Sequence, residues 1–338
     1  MRITAVTCVK NEGPFLVEWV AFNRMLGVTD FVFYSNDCTD GTAELLDAMA
    51  EDGLVQHLPN PAQGRNYQME ALRDAQKQPV VREADWIWVS DVDEFAHISV
   101  GDGTFPALIA ACGAPEAISL TFRFFANGGI DRFDDAPVTG QFTRTHDPDV
   151  WTDELAQEVK TLFRSDLAVQ YFGAHRPFLR NGDGPSPRWT DGAGRPVPRP
   201  FLLAETKTRM RKFPAHGARA FASLNHYALR SLDSYIVKTD RGDVNRAGRA
   251  FETEYWQDRN DGAREDRAML SLQPRLLAAM AALKARGRIG ACHDAAVAAH
   301  RALCDRLMAD PEVAALARAL RAAPELTRPE LALLERLA

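Results

Sequence analysis

The chain opens on a short, largely apolar run, Ile3 to Val9, the pattern of a strand buried in a sheet. Lys10-Asn11-Glu12-Gly13-Pro14 interrupts it, and Pro14 suits the first turn of a helix, where its missing N–H costs nothing. Phe15, Trp19, Phe22 and Leu26 then recur at intervals of three and four, one face of a helix that Gly27 stops. Asp30 to Tyr34 predicts a second strand, Asn36 to Thr42 a turn and cap, and Ala43 to Ala50 a second helix. Leu54 to Leu58 predicts a third strand and Tyr67 to Gln76 a helix. Trp86 to Ser90 predicts a fourth strand running directly into Asp91, and Ala117 to Phe125 a fifth.

Strands alternating with helices imply an α/β fold, a mainly parallel sheet flanked by helices on both faces. In such sheets ligands bind beyond the carboxyl ends of the strands. The Asn11-Glu12 loop, the Asn36-Asp37 loop and Asp91 to Asp93 are all expected at that edge.

Residues 126–215 are irregular, with strand-like islands at Val159–Phe163 and Val169–Phe172. Arg176 to Arg219 is locally basic, either a solvated excursion or a cover over an anionic ligand. Phe221 to Leu224 is strand-like, and a helical run starts near Ser231. From Arg264 the text shifts to Ala, Leu and Arg at helical spacing, predicting two to four helices. The expected organisation is one domain over 1–263, with halves 1–125 and 126–263, and a C-terminal helical appendage over 264–338.

Composition narrows the class. Of 338 residues, 46% are hydrophobic and 25% charged, ordinary for a globular protein, and the net charge of −6 argues against nucleic acid or anionic membrane as main partner. The 5 cysteines form no C-x-x-C pair, which fits a reducing compartment. The first residues read as a core strand rather than a signal peptide, and no apolar run is long enough to span a bilayer. The expectation is a cytoplasmic protein without a transmembrane segment, at most peripheral to a membrane.

A D-x-D triplet alone is a weak signal, and Asp147-Pro148-Asp149 is a decoy in a proline loop with no strand before it. Asp91-Val92-Asp93 differs because a buried-looking strand delivers it to the sheet edge. In extended backbone both carboxylates would face one side and one hard cation. Mn²⁺ or Mg²⁺ held there suits a nucleoside diphosphate leaving group, whose charge it stabilises as a Lewis acid. Asp40 or Thr42 is expected to cap the helix after the second strand. His226 and His175 are possible ligands, although a lone histidine is more often structural. Arg230, Lys238 and Lys160 are basic groups able to reach phosphate, each read first as a surface charge.

The stretches VTCVKNEGPFLVEWVAFNRMLGV, FVFYSNDCTDGT, WIWVSDVDEF and, far downstream, LNHYALRS resemble the family 2 glycosyltransferases and their family 92-like relatives. The resemblance is fullest over residues 1–100 and implies the nucleotide-diphospho-sugar GT-A fold, a Rossmann-like sheet. It implies Val9, Asn11 and Glu12 beside nucleobase and ribose, and Asn36 at the usual place of an acidic nucleotide contact. Ser35-Asn36 stands there in place of the common Asp-Asp pair. It further implies Asp91 at ribose or metal, Asp93 as direct metal ligand and His226 completing the metal site; Arg230 is the basic group expected to join the donor-binding residues. The expected activity is metal-dependent transfer of a sugar from a nucleotide diphosphate, a UDP-sugar first, to a saccharide or other hydroxyl, with inversion. Asp153, Glu154 and Asp131 are the candidate bases for the acceptor hydroxyl. The competing readings are a nucleotidyltransferase, which would want a Gly-rich basic loop after the first strand, and a non-catalytic scaffold that keeps the fold.

Overall fold

The computed structural model describes the chain except residues 65, 148–156, 181–185, 204–209, 242–252, 324–327 and 338, and the side chains of 328–332. The first half runs β1 (Ile3–Val9), α1 (Gly13–Met25), β2 (Asp30–Ser35), α2 (Thr42–Glu51), β3 (Gln56–Pro59), α3 (Tyr67–Ala75), α4 (Pro79–Arg82), β4 (Trp86–Val89), β5 (Glu94–Ile98), α5 (Phe105–Ala111) and β6 (Ala117–Phe124). The irregular middle holds α6 (Val138–Gln141), β7 (Arg144–Thr145), β8 (Val159–Arg164), β9 (Val169–Phe172), β10 (Pro177–Leu179), β11 (Trp189–Asp191) and α7 (Arg199–Leu202). Then follow β12 (Ala222–His226), α8 (Leu232–Arg241), α9 (Thr253–Gln257), β13 (Arg264–Glu265), α10 (Gln273–Lys284), α11 (Ile289–Met308), α12 (Pro311–Ala322) and α13 (Arg328–Leu337).

The main sheet has the order β3-β2-β1-β4-β8-β6-β12-β5, with β11 beside β6. Strands β3, β2, β1 and β4 are mutually parallel, as are β6, β11 and β12, while β8 and β5 run antiparallel to their neighbours. This is the expected α/β class. The sequence reading missed β5 and α5, and placed β3 two residues early.

Both faces of the sheet are buried, which explains the apolar text of its strands. Ile3, Ala5, Phe31, Phe33, Trp86 and Trp88 turn to one face and pack with α1 and α2. Val6, Val32, Tyr34, Ile87 and Val89 turn to the other and pack with α3. The first of these clusters also takes in Leu276, Met280, Leu283 and Ile289. Thus α10 and the start of α11 share the main core rather than hanging from it. No helix among the described residues is long and apolar enough to cross a membrane.

Candidate active site

The carboxyl ends of β1, β2, β4, β6 and β12 meet the starts of β5 and β8 along one rim, the edge at which a parallel sheet binds ligands. Asn11 holds a left-handed φ of 52° there. Its Oδ1 accepts the Thr39 amide at 2.8 Å and its Nδ2 donates to Thr39 Oγ1 at 3.3 Å, tying the loop after β1 to the loop after β2. Asp40 reinforces the tie, accepting the Gly13 amide at 3.1 Å and the Thr42 amide at 3.0 Å, so the expected cap serves both helices. Val9 and Ser35 are register partners. Asn36 follows Ser35, whose hydroxyl lies 2.8 Å from His57 Nε2, with His57 Nδ1 in turn 2.7 Å from Asp47.

Glu12 leaves the rim surface for a buried network. Arg230 Nη1 lies 2.7 Å from one carboxylate oxygen and Arg241 Nη1 2.6 Å from the other. Burial alone would raise its pKa; Arg230, then Arg241, overcome this and hold it below the ordinary range.

The extended geometry expected of Asp91 and Asp93 is not what forms. Residues 91–94 make a turn, with the Glu94 amide donating to Asp91 O at 3.1 Å and the Asp91 amide to Glu94 Oε2 at 2.8 Å. The turn sends the two carboxylates to different partners. Asp91 accepts from Gln68 Nε2 at 3.1 Å and from Lys160 Nζ at 2.8 Å. Asp93 lies 3.5 Å from His226 Nε2 through Oδ1 and accepts from Lys238 Nζ at 3.0 Å through Oδ2. Glu94 braces the turn. Burial first, offset by Lys160 and reinforced by Asp91 and Asp93, pushes its pKa up to about 8. Asp93 is equally buried, yet Lys238, then His226, hold it well below the ordinary carboxylate range.

Asp93 Oδ1 and His226 Nε2 are the donor pair suited to a divalent cation. The His226 pKa is lowered, burial outweighing the opposing pull of Asp93, so the imidazole is neutral where the carboxylate is ionised, the forms a metal requires. The ring is fixed by packing, 5.0 Å from Phe122 and 5.2 Å from Phe124 between centroids, and its Nδ1 is buried without a partner. Among the described residues no group of three or more His, Cys, Asp or Glu is gathered around a metal position. A two-donor site still fits Mn²⁺ or Mg²⁺, which fill remaining positions with water and substrate phosphate oxygens.

The profile of glycosyltransferase family 92 matches residues 4–186, more than half of the chain. The chain belongs to glycosyltransferase family 92. The family 92 part of the resemblance is thereby shown. A family 92 protein of Ricinus communis is 28% identical over 99 residues, 28% of this chain and 17% of its own length. One of Oryza sativa subsp. japonica is 29% identical over 96 residues, 27% of this chain and 15% of its own length. The aligned part thus spans about a sixth of these relatives' length. Staphylococcus aureus TarS 1–349 matches at a TM-score of 0.32 and 11% identity, covering 90% of each chain. Glucosyl-3-phosphoglycerate synthase from Mycobacterium tuberculosis, solved with Mn²⁺, UDP and glucosyl-3-phosphoglycerate, matches at 0.26 and 15% identity over 36% of this chain and 44% of its own. Both likenesses are loose, and no site residue is carried over from either.

The family 92 segment includes Asn11, Asn36, Asp91 and Asp93 but ends before His226 and α8, which complete the rim. Lys238 is held by Ala228 O at 2.9 Å and Tyr255 Oη at 3.4 Å as well as by Asp93. Arg230, at a left-handed φ of 57°, stacks its guanidinium 3.5 Å above Phe15. Arg241 binds the carbonyls of Lys10 and Asn11. Lys238 and Arg241, three apart, share one face of α8, a spacing that would have paired them in sequence. Lys160 and Arg230 are thus buried site cations and Lys238 a largely covered one, not surface charges.

The candidate bases fare differently. Asp153 and Glu154 lie outside the described residues. Asp131 is paired with Arg321 Nε at 2.8 Å, on α12. Glu158, which the sequence reading passed over, is buried just before β8, with His175 Nε2 3.8 Å from its Oε2 and Arg211 Nε 2.7 Å from its Oε1.

Proposed function

We propose that this chain transfers a sugar from a nucleoside-diphosphate donor, a UDP-sugar in the first instance, to an acceptor hydroxyl, with inversion at the anomeric carbon. Family membership supports glycosyl transfer in general. The observation that carries the finer reading is the meeting of Asp93 and His226 from opposite halves of the chain, 3.5 Å apart, beside Lys238.

Asp93 and His226 would hold Mn²⁺ or Mg²⁺, which when bound supplies Lewis-acid stabilisation to the departing diphosphate. Lys238 stands ready to neutralise phosphate charge, while Glu12, Arg230 and Arg241 fix the loop between β1 and α1 and so the base side of the cleft. Asn11 and Asn36 border that side at the ends of β1 and β2. The nucleotidyltransferase reading is disfavoured because the loop after β1 is braced by side chains and presents no glycine-rich phosphate cradle.

The test is release of free nucleotide from UDP- and GDP-sugars by purified protein with Mn²⁺, compared with Asp93→Ala. We expect turnover to fall by at least about 100-fold in the variant, the scale of losing a transition-state charge stabiliser. Wild-type turnover in Asp93→Ala would remove the metal assignment. A wild-type protein that neither binds nor cleaves any donor would leave the scaffold reading in its place.

A further inference from the structure

Glu158 lies on the same rim, at the start of β8. It immediately precedes β8, and Lys160, two residues on, points to the same side of that strand. The register pairs Leu120 with Lys160 and Thr121 with Val159, while the Phe122 amide donates to Glu158 O at 2.9 Å. On the next strand His226 pairs with Phe124 and Leu224 with Phe122. Glu158, Lys160, Phe122, Phe124 and His226 therefore share one face of the sheet. His175 adjoins Ala174, which packs with the cluster on the opposite face, and the Thr161 hydroxyl donates to its carbonyl at 3.1 Å; its ring nevertheless comes to 6.0 Å from Phe122, which in turn is 5.0 Å from His226. Phe122 is thus a common floor, with the Asp93–His226 pair at one end and the Glu158–His175 pair at the other.

The second pair is oriented. Arg211 holds Glu158 Oε1 at 2.7 Å and leaves Oε2 toward His175 Nε2, 3.8 Å away. His175 Nδ1 lies 3.1 Å from Val159 O, an acceptor only, so Nδ1 carries the hydrogen and Nε2 keeps its lone pair. A gap of 3.8 Å is too long for a direct hydrogen bond, so His175 does not occupy Oε2, and a hydroxyl placed beside that oxygen can donate its one hydrogen to it. Both side chains keep some solvent access, 20% for His175 and 10% for Glu158.

We propose that Glu158 is the catalytic base for the acceptor hydroxyl, which would lie beside Oε2 on the Phe122 floor. This deepens the glycosyl-transfer reading and rests on it. In the step, the acceptor O–H bond breaks and its proton passes to Glu158 Oε2. The acceptor oxygen forms a bond to the anomeric carbon, and the bond from that carbon to the diphosphate oxygen breaks, its electron pair leaving with the diphosphate. Burial raises the Glu158 pKa against the opposing pull of Arg211, then Arg259, Lys160 and Lys212, which suits a base working near neutrality. His175 is held neutral, burial first and Lys160 and Arg211 next lowering its pKa well below the ordinary imidazole value.

The test uses full-length protein with Mn²⁺ and whichever of UDP-glucose, UDP-galactose, UDP-N-acetylglucosamine and GDP-mannose the wild type cleaves fastest, water serving as acceptor. Glu158→Gln should lower kcat by about 100-fold or more, leave the donor KM within about threefold, and abolish the acid limb of the kcat–pH profile. Arg211→Gln breaks the same ion pair but keeps the carboxylate, and should keep kcat within about tenfold of wild type. Wild-type kcat in Glu158→Gln, or equal losses in Glu158→Gln and Arg211→Gln, would overturn the proposal while leaving the donor reading intact. If Glu158→Gln fails to fold, Glu158→Asp takes its place, and an unshifted pH profile in that variant counts against a base at this position. Absence of donor cleavage by the wild type overturns the glycosyl-transfer reading, and this proposal with it.

Discussion

Lys160 reaches the acidic turn from β8, its ammonium 2.8 Å from Asp91 and 3.3 Å from Glu94, with 1% of its side chain exposed. Removing one partner of a buried ionic group strands the others, and Glu94 is as buried as the lysine. Lys160→Met should therefore cost about 3–5 kcal/mol, read as a lower urea midpoint at unchanged slope. An unchanged midpoint would mean the turn is held by its backbone bonds alone. Sequence located this turn well, because an apolar strand led into it, but not its geometry. Residues two apart share a side only in extended backbone, and the bonds between Asp91 and Glu94 close a turn instead. Lys160 and Lys238 carried no sign in the text that they were drawn in from the surface, since a lysine's burial depends on carboxylates brought in from other strands.

At the scale of elements, α11 is the unexpected contributor. Ala296 on α11 is fully buried, and a Cβ added to Gly13 would stand 2.7 Å from its methyl. The close approach lets α11 press on the start of α1, where the Gly13 amide is tied to Asp40. Gly13→Ala forces either helix to move and should cost about 1–3 kcal/mol, measured by chemical denaturation. A neutral or stabilising result would show that the packing yields freely. The helices of this region were legible from their spacing, four of them from α10 to α13. Their docking was not, because an alanine-rich stripe names no partner. The unread β5 has a related cause. Glu94 to Ile98 is five residues with a single clear alternation, and its strand character comes from pairing with β12.

The molecule as a whole should weaken in mild acid. Burial first, then Arg219 and Arg123, lowers the His146 pKa from 6.5 to about 3. Burial first, then Arg230, lowers that of His300 from 6.5 to about 4. Between those values and 6.5 the unfolded chain binds protons that the folded one refuses, so stability falls as pH falls through that window. These two histidines together should contribute a loss on the order of 2 kcal/mol between pH 6.5 and 5.5, opposed by Glu94, whose raised pKa lets the folded state bind a proton in that window, and read from the denaturation midpoint. His146→Gln should flatten the slope, and an identical slope in that variant would show that other groups set it.

Strand β12 lies between β6 and β5, both of which leave the ribosome about a hundred residues or more before it. At about 5–20 residues per second, β5 waits on the order of ten seconds for β12, its neighbour in the sheet. During that interval the apolar edge of β6 is uncovered and Asp93 has no histidine beside it. No ligand that needs both Asp93 and His226 can therefore guide the early nascent chain. The site closes only once β12 has been made, and the cell's folding helpers have a defined stretch of open sheet to protect until it does.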